Sequence, residues 1–275
     1  MAIVTISFAM GAGGPEIGST LAGRLGYRYV DHELISEAAH RYGLVEDRLA
    51  HLSDAKPSLF ERFDIETRRY ITVIQSVLFE FAAADNVVLM GRGGQWLLRG
   101  IPHVLRVRVT APFEARVKRL TERLSAQTGD QVTSRGVTQM VRRDDDQRLG
   151  RMRYLYEADL RDPALYDLVL STERLTTEAA VQVLAALAGR PELAPSPAAR
   201  QLVADRTLAS RVQVALVTHP DTRKYRIEVE AQEGVVTLES ATALDAALGV
   251  AREVPGVREV RARLVEIPPI PPFVA

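Results

Sequence analysis

The sequence predicts an α/β protein: a parallel sheet with helices on both faces, followed by a small α+β unit of order α-β-β-α-β. Three observations carry this. Apolar, β-branched runs of strand length alternate with segments of helical period over residues 1–188. A glycine-rich turn, GAGG, joins the first such run to the first helix. Composition then shifts at GRPELAPSPAARQ, and the two-residue alternation of a hairpin appears beyond it.

Residues 2–8, AIVTISF, read as a buried strand. A helix follows from about Pro15 to Leu25, stopped by Gly26. YRYVD is a short second strand ending in Asp31, and HELISEAAHRYG a helix ending near Gly43. Residues 66–84 place Ile71, Ile74, Val77, Leu78 and Phe81 at helical spacing. NVVLMG and HVLRVRVTA are the third and fourth strands. Pro112 suits the first turn of a helix whose Val117, Leu120 and Leu124 share a face. A helix from about Val137 to Leu160, a fifth strand YDLVLST and a helix TTEAAVQVLAALAG complete the unit.

Residues 189–203, with three prolines among small and polar residues, read as a linker. The second unit, residues 204–267, opens with a helix around 205–217. In YRIEVEAQEGVVTLES, Ile227, Val229 and Ala231 alternate with polar residues, Gly234 turns the chain, and Val235 to Leu238 return. ATALDAALGVAREVPG is a helix, VREVRARLVEI a last strand, and residues 268–275 an extended, proline-rich tail.

Formal net charge is zero, so no nucleic-acid partner is expected. The chain has no cysteine, which excludes disulfides, thiolate metal sites and thiol catalysis. The N-terminus lacks the basic and long apolar regions of a signal peptide, and no apolar run approaches the ~20 residues that span a bilayer. A cytoplasmic location is expected.

The GAGG turn has the setting of a phosphate-binding loop. Backbone amides and a helix N-terminus converge on an anion, and Gly11, Ala12, Gly13 and Gly14 let the backbone approach it closely. The pattern G-x-x-x-x-G-K-[ST] is incomplete: Phe8 takes the first glycine's place, Gly14 the lysine's, and Glu16 stands near the metal-binding hydroxyl. Glu16 repels phosphate unless Mg²⁺ sits between them. The alternative is a strand-to-helix turn with no ligand. Farther on, Arg142, Asp145 and Arg148 recur every three residues and share a helical face, where Asp145 can orient the arginines. Arg143 adjoins them. A solvated face with local ion pairs is the alternative. Arg92 follows the third strand, at the edge where open α/β sheets bind ligands, or else caps a neighbouring helix. Asp31 and Glu33 follow the second strand at the same edge, placed to accept hydrogen bonds from an acceptor nucleoside or to hold Mg²⁺ through water, with Asp31 equally suited to cap the next helix.

Four segments together resemble the cytidylate-kinase-like family, a divergent branch of the P-loop nucleoside monophosphate kinases: ISFAMGAGGPEIGSTLAGRLGYRYVDHELI, VVLMGRGGQWLLRGIPHVLRVRVTAPFEARVKRL, VRRDDDQR and DPALYDLVLSTERLTTEAAV. They cover about residues 1–187 in the family's order. The resemblance implies a P-loop kinase sheet and transfer of the γ-phosphoryl of ATP, with Mg²⁺, to a pyrimidine monophosphate, CMP or dCMP. It implies that Gly11, Ala12, Gly13 and Gly14 cradle ATP phosphates and that Arg92, Asp31 and Glu33 serve the acceptor. Arg142, Arg143, Asp145 and Arg148 would close over the transferring group, and Glu16 would meet the metal through water. The chain departs from the family in lacking the lysine, the aspartate after GR, and the serine and arginine used on the acceptor. A catalytically weak nucleotide sensor is therefore the alternative reading.

RVQVALVTHPDTRKYRIEVEAQEGVVTLES and ALGVAREVPGVREVRARL are similar to a BON domain. That resemblance implies binding of phospholipid or another ligand; the alternative is a small interaction or dimerisation module for a protein partner or a second copy, through which a sensor would signal.

Overall fold

The computed structural model describes residues 2–47, 65–129, 132–241 and 244–265. The expected tail at residues 268–275 lies outside them. Five strands form one parallel sheet: β1 Ile3–Phe8, β2 Arg28–Val30, β3 Val87–Met90, β4 Val104–Thr110 and β5 Leu168–Ser171, in the order β2-β3-β1-β4-β5. The apolar runs make this arrangement. Ile3, Val4, Ile6, Val88, Leu89, Val107 and Val109 are buried from both faces, as parallel strands require.

Helices α1 Gly14–Leu25 and α7 Thr177–Ala188 cover one face, where Ile17, Leu21, Val181 and Leu184 pack on Val4, Ile6 and Val107. Helices α2 Glu33–Tyr42 and α3 Ile65–Ala83 cover the other, with Ile35, Ile74, Val77 and Leu78 against Ile3, Val87 and Leu89. A four-residue helix, α4 Gly94–Leu97, follows β3 and was not expected. Helices α5 Phe113–Thr128 and α6 Ser134–Tyr156 pair over the strand ends. Helix α6 is shifted toward the N-terminus of its expected span. Thr133 caps its start, accepting from the Gly136 amide at 3.4 Å, and Glu157, at φ 52°, ends it in a left-handed turn.

The second unit is a three-stranded sheet, β6 Glu228–Gln232, β7 Val235–Ser240 and β8 Glu259–Leu264. Strands β6 and β7 are antiparallel, and β7 and β8 parallel. Glu233 and Gly234, both at positive φ, make the two-residue hairpin turn. Helices α8 Pro197–Thr218 and α9 Asp245–Arg252 enclose its core, in which Val212, Leu216, Val236, Leu238 and Ala251 are buried.

Helix α8 begins eight residues before the expected start at 205 and runs through part of the proline-rich stretch. Ser196 caps it, accepting from the Ala199 amide at 3.1 Å, and Pro197 occupies the first turn, where a missing amide proton costs nothing. The helix serves both units. Val203 joins the core of the first sheet, and Thr207 and Ser210 hydrogen-bond to the Phe79 carbonyl and the Ser76 hydroxyl of α3. Val212 and Leu216 belong to the second core.

Candidate functional site

The loop between β1 and α1 gathers at the C-terminal edge of the sheet. Gly11 and Gly13 have φ of 81° and 80°, a region that favours glycine. A Cβ on Gly11 would lie 2.7 Å from the Arg116 carbonyl oxygen. A Cβ on Gly14 would overlap the Phe8 side chain. The two departures from the phosphate-loop pattern are thus one feature: the ring at position 8 fills the space into which a side chain at position 14 would grow. Ala12 is fully buried, and its carbonyl accepts from the Thr172 hydroxyl at 2.9 Å.

Arg116 on α5, which sequence reasoning missed, fastens the loop to the helices above it. Its guanidinium is buried and donates to the carbonyls of Ala111 at 3.1 Å and Met10 at 3.2 Å. It also makes a two-pronged pair with Asp145, at 3.0 and 2.7 Å. Asp145 therefore faces Arg116, not Arg142 and Arg148 as the three-residue spacing predicts. Asp144 holds Arg148 at 2.8 Å instead, through the four-residue spacing of the helix. Arg148 also lies over the Phe8 ring, 4.9 Å from its centroid. Arg142 and Arg143 are exposed, with Arg142 over Phe113.

A cavity of about 260 Å³ opens beside the loop, lined by Ser7, Phe8, Asp31, Arg92, Arg148 and Tyr156 among others. Arg92 sits within three successive left-handed residues, Gly91 at φ 66°, Arg92 at 56° and Gly93 at 75°. A non-glycine residue in that region carries strain that concentrates at binding sites. Asp31 accepts from the Tyr29 hydroxyl at 3.3 Å. Burial first, then the Asp31 carboxylate, pushes the Tyr29 phenol up to about 12. His32, not Asp31, stands at the N-cap of α2. Glu33 pairs with Arg28 and is not among the residues that line the cavity. Tyr156 receives a bond from Gln75 at 3.3 Å, and burial pushes its phenol up.

On the other side of the loop, Gly11, Ala12, Gly13, Glu16, Arg119, Arg123 and Thr172 border a second groove. Glu16, in the first turn of α1, pairs with Arg123 at 3.2 Å, and both side chains are 51% exposed. Among the described residues no group of three or more acidic, histidine or cysteine side chains is placed to hold a metal. At Gly13 alone of the loop's glycines a Cβ would meet nothing within 4 Å, while the space beside Gly11 and Gly14 is filled by Arg116 and Phe8. A Mg²⁺ bound at the loop would rest mainly on phosphate oxygens and water, with Glu16 the carboxylate in reach.

A third hollow, under α6, is lined by Arg108, Arg116, Arg142, Asp145 and Arg148. Arg108 on β4 is the second residue that sequence reasoning missed. It lies opposite Ser7 in the sheet and donates to its hydroxyl at 2.7 Å. Nothing in VLRVRVT separates it from the arginine two residues earlier; only the register against β1 does.

Comparison with known proteins accords with this geometry. Residues 3–174 match the model of the cytidylate kinase-like family, and residues 204–268 match the BON domain. A cytidylate kinase of Staphylothermus marinus is 28% identical over 185 residues, covering 67% of this chain and 94% of the relative. One from Ignicoccus hospitalis is 27% identical over 188 residues, covering 67% and 97%. The crystal structure of an uncharacterized protein from Eubacterium ventriosum superposes with a TM-score of 0.53 at 16% identity, over 69% of this chain and 100% of that one, which speaks for the fold alone. Among the described residues no helix is long and apolar enough to cross a membrane. With a parallel five-stranded sheet, a glycine loop at its C-terminal edge and a family match spanning most of that unit, the chain belongs to the cytidylate kinase-like family, joined here to a BON domain.

Proposed function

We propose that the N-terminal unit transfers the γ-phosphoryl group of ATP to a nucleoside monophosphate, with CMP or dCMP the acceptor. One observation carries the reading: the glycine loop and the cavity holding Asp31, Arg92 and Arg148 adjoin at one sheet edge. The amides of Gly11, Gly13 and Gly14 receive the donor's phosphates, and Ala12, whose amide donates to the Ala9 carbonyl at 3.0 Å, shapes the loop. Arg92 holds the acceptor's phosphate and Asp31 its nucleoside. Glu33, held by Arg28, acts at most by fixing that segment. An acceptor phosphate oxygen attacks the γ-phosphorus while the bond to the β–γ bridging oxygen breaks. ADP leaves with that electron pair, so ATP and a monophosphate yield ADP and a diphosphate. Negative charge spreads over the transferring oxygens, and Arg148, with exposed Arg142 and Arg143 free to swing in, balances it. Mg²⁺ would neutralise phosphate charge, with Glu16 its carboxylate. The C-terminal unit takes a protein or lipid partner or a second copy, and the whole works in the cytoplasm.

The second reading, a nucleotide sensor with little turnover, is favoured by one feature: Phe8 leaves no room for a lysine at position 14. Coupled ADP detection with ATP, Mg²⁺ and a panel of monophosphates separates the two. Turnover of about 1–100 s⁻¹ supports the kinase. Calorimetric binding without turnover supports the sensor, and neither binding nor turnover ends both. Arg148→Ala should slow turnover by about 10²–10³ while the melting temperature holds.

A further inference from the structure

The arginines at this edge differ in how their charge is met. Arg116 is paired with Asp145 and Arg148 with Asp144. Arg106, on β4, is held by Asp167, whose carboxylate accepts from Nη2 at 2.6 Å, from Nε at 3.2 Å and from the Arg106 amide at 2.8 Å. Arg108 lies two residues on, on the same face of the same strand. It is mostly buried, yet no carboxylate pairs with it among the described residues, and its hydrogen bond goes to the neutral Ser7 hydroxyl. Burial lowers its pKa most; Tyr166 and Asp145 nearby raise it, and the charges of Arg148 and Arg116 lower it. A guanidinium largely held off water with no carboxylate bonded directly to it is costly. Its neighbour Ser7 lines the cavity beside the loop, and Arg108 itself lines the hollow under α6. Arg148 borders both spaces.

We propose that Arg108 is a fixed phosphate-binding residue that supplies, from β4, the positive charge that the loop lacks at position 14. This rests on the reading of the site as a nucleotide site. The arrangement is a relocation. Phe8 excludes a side chain at Gly14, and the strand beside β1 presents a guanidinium to the same edge, already oriented by Ser7. A bound phosphate oxygen would be the counter-charge that the apo fold withholds, and the planar fork suits it.

The test measures calorimetric binding of ADP, ATP and inorganic pyrophosphate, with the ligand-free melting temperature, in the full chain and in Arg108→Met, Arg108→Lys and Arg106→Met. Arg108→Met should weaken all three ligands by roughly ten- to a hundredfold. Its ligand-free melting temperature should hold or rise, because an unmatched buried charge is removed. Arg108→Lys should recover part of the affinity, and Arg106→Met should bind like the parent. Unchanged binding in Arg108→Met overturns the proposal. So does a fall in Arg106→Met as large as that in Arg108→Met, or failure of both Arg108 variants to fold, which would make the residue structural. Pyrophosphate binding that depends on Arg108 without any nucleotide binding would sink the kinase reading and keep this one. No binding of any of the three sinks both.

Discussion

The two sheets of this molecule treat polar groups in opposite ways. In the C-terminal unit the arginines of β8 lie at the surface beside their partners: Arg261 pairs with Glu259 at 2.8 Å and Arg263 with Glu239. The core beneath is apolar, and its hairpin turn is an ordinary use of positive φ. In the N-terminal unit the C-terminal edge of the sheet collects what folding alone would avoid. Arg92 is held left-handed, Arg108 is half-buried with no carboxylate paired to it, and Arg116 is buried and paired with the half-exposed Asp145. Strain and costly charge persist where a ligand repays them. The contrast sets the first edge, the proposed nucleotide site, apart from the second sheet, whose interior is apolar throughout its core.

The harshest test of that separation is Leu216→Ala. Leu216 is fully buried in the second core, on the C-terminal half of α8. Its loss should destabilise that unit by about 3–4 kcal/mol, the usual cost of a cavity of that size. Limited proteolysis should then cut beyond residue 218, while nucleotide affinity at the first edge stays within twofold. Loss of nucleotide binding in step with the second core would mean that α8, which also packs Val203 into the first, makes the two units one cooperative body.

Next in size is Asp145→Asn, which sharpens the other side of the contrast. It leaves Arg116, its side chain 8% exposed, without its counter-charge. Breaking such a pair by removing one partner should cost about 3 kcal/mol, and the melting temperature should fall by several degrees. Because Arg116 also holds the Met10 carbonyl, nucleotide affinity should fall with it. Arg263→Ala, at the exposed pair in the second unit, should change stability by less than about 1 kcal/mol. If the two variants behave alike in thermal melts, the distinction between the edges has no energetic content.

What the sequence disclosed follows the same division. The order of strands and helices was legible because apolar period and glycine stops are local signals, as at Gly26 and Gly43. The glycine loop was legible because strand, glycines and helix are contiguous. Arg116 and Arg108 were not, because their meaning comes from partners distant in the chain, Met10 and Asp145 for one and Ser7 for the other. Asp144 and Asp145 were both in view on one helix, yet helical spacing offers Arg148 both as neighbours. Only the arrival of Arg116 from α5 decides that Asp145 turns toward it and that Asp144 keeps Arg148. The start of α8 was missed because prolines that read as a linker also suit a first helical turn, which Ser196 makes explicit.

The smallest expected effect bears on the first edge alone. The Tyr29 phenol, partly buried and donating to Asp31, is pushed up to about 12, chiefly by burial and then by the carboxylate. A raised phenol pKa means that the fold prefers the neutral ring. In the unfolded chain the same group titrates near ~10. Its stabilising contribution is therefore complete below about pH 10 and lost as pH rises through the folded value. Burial also raises the phenols of Tyr27, Tyr156 and Tyr166, so ultraviolet titration should show several late-ionising groups, of which Tyr29→Phe removes one. Asp31→Asn should bring that group part of the way back and no further, since burial remains. A late-ionising amplitude that does not fall by one phenol in Tyr29→Phe would mean that Tyr29 titrates with the exposed tyrosines and is not held against Asp31.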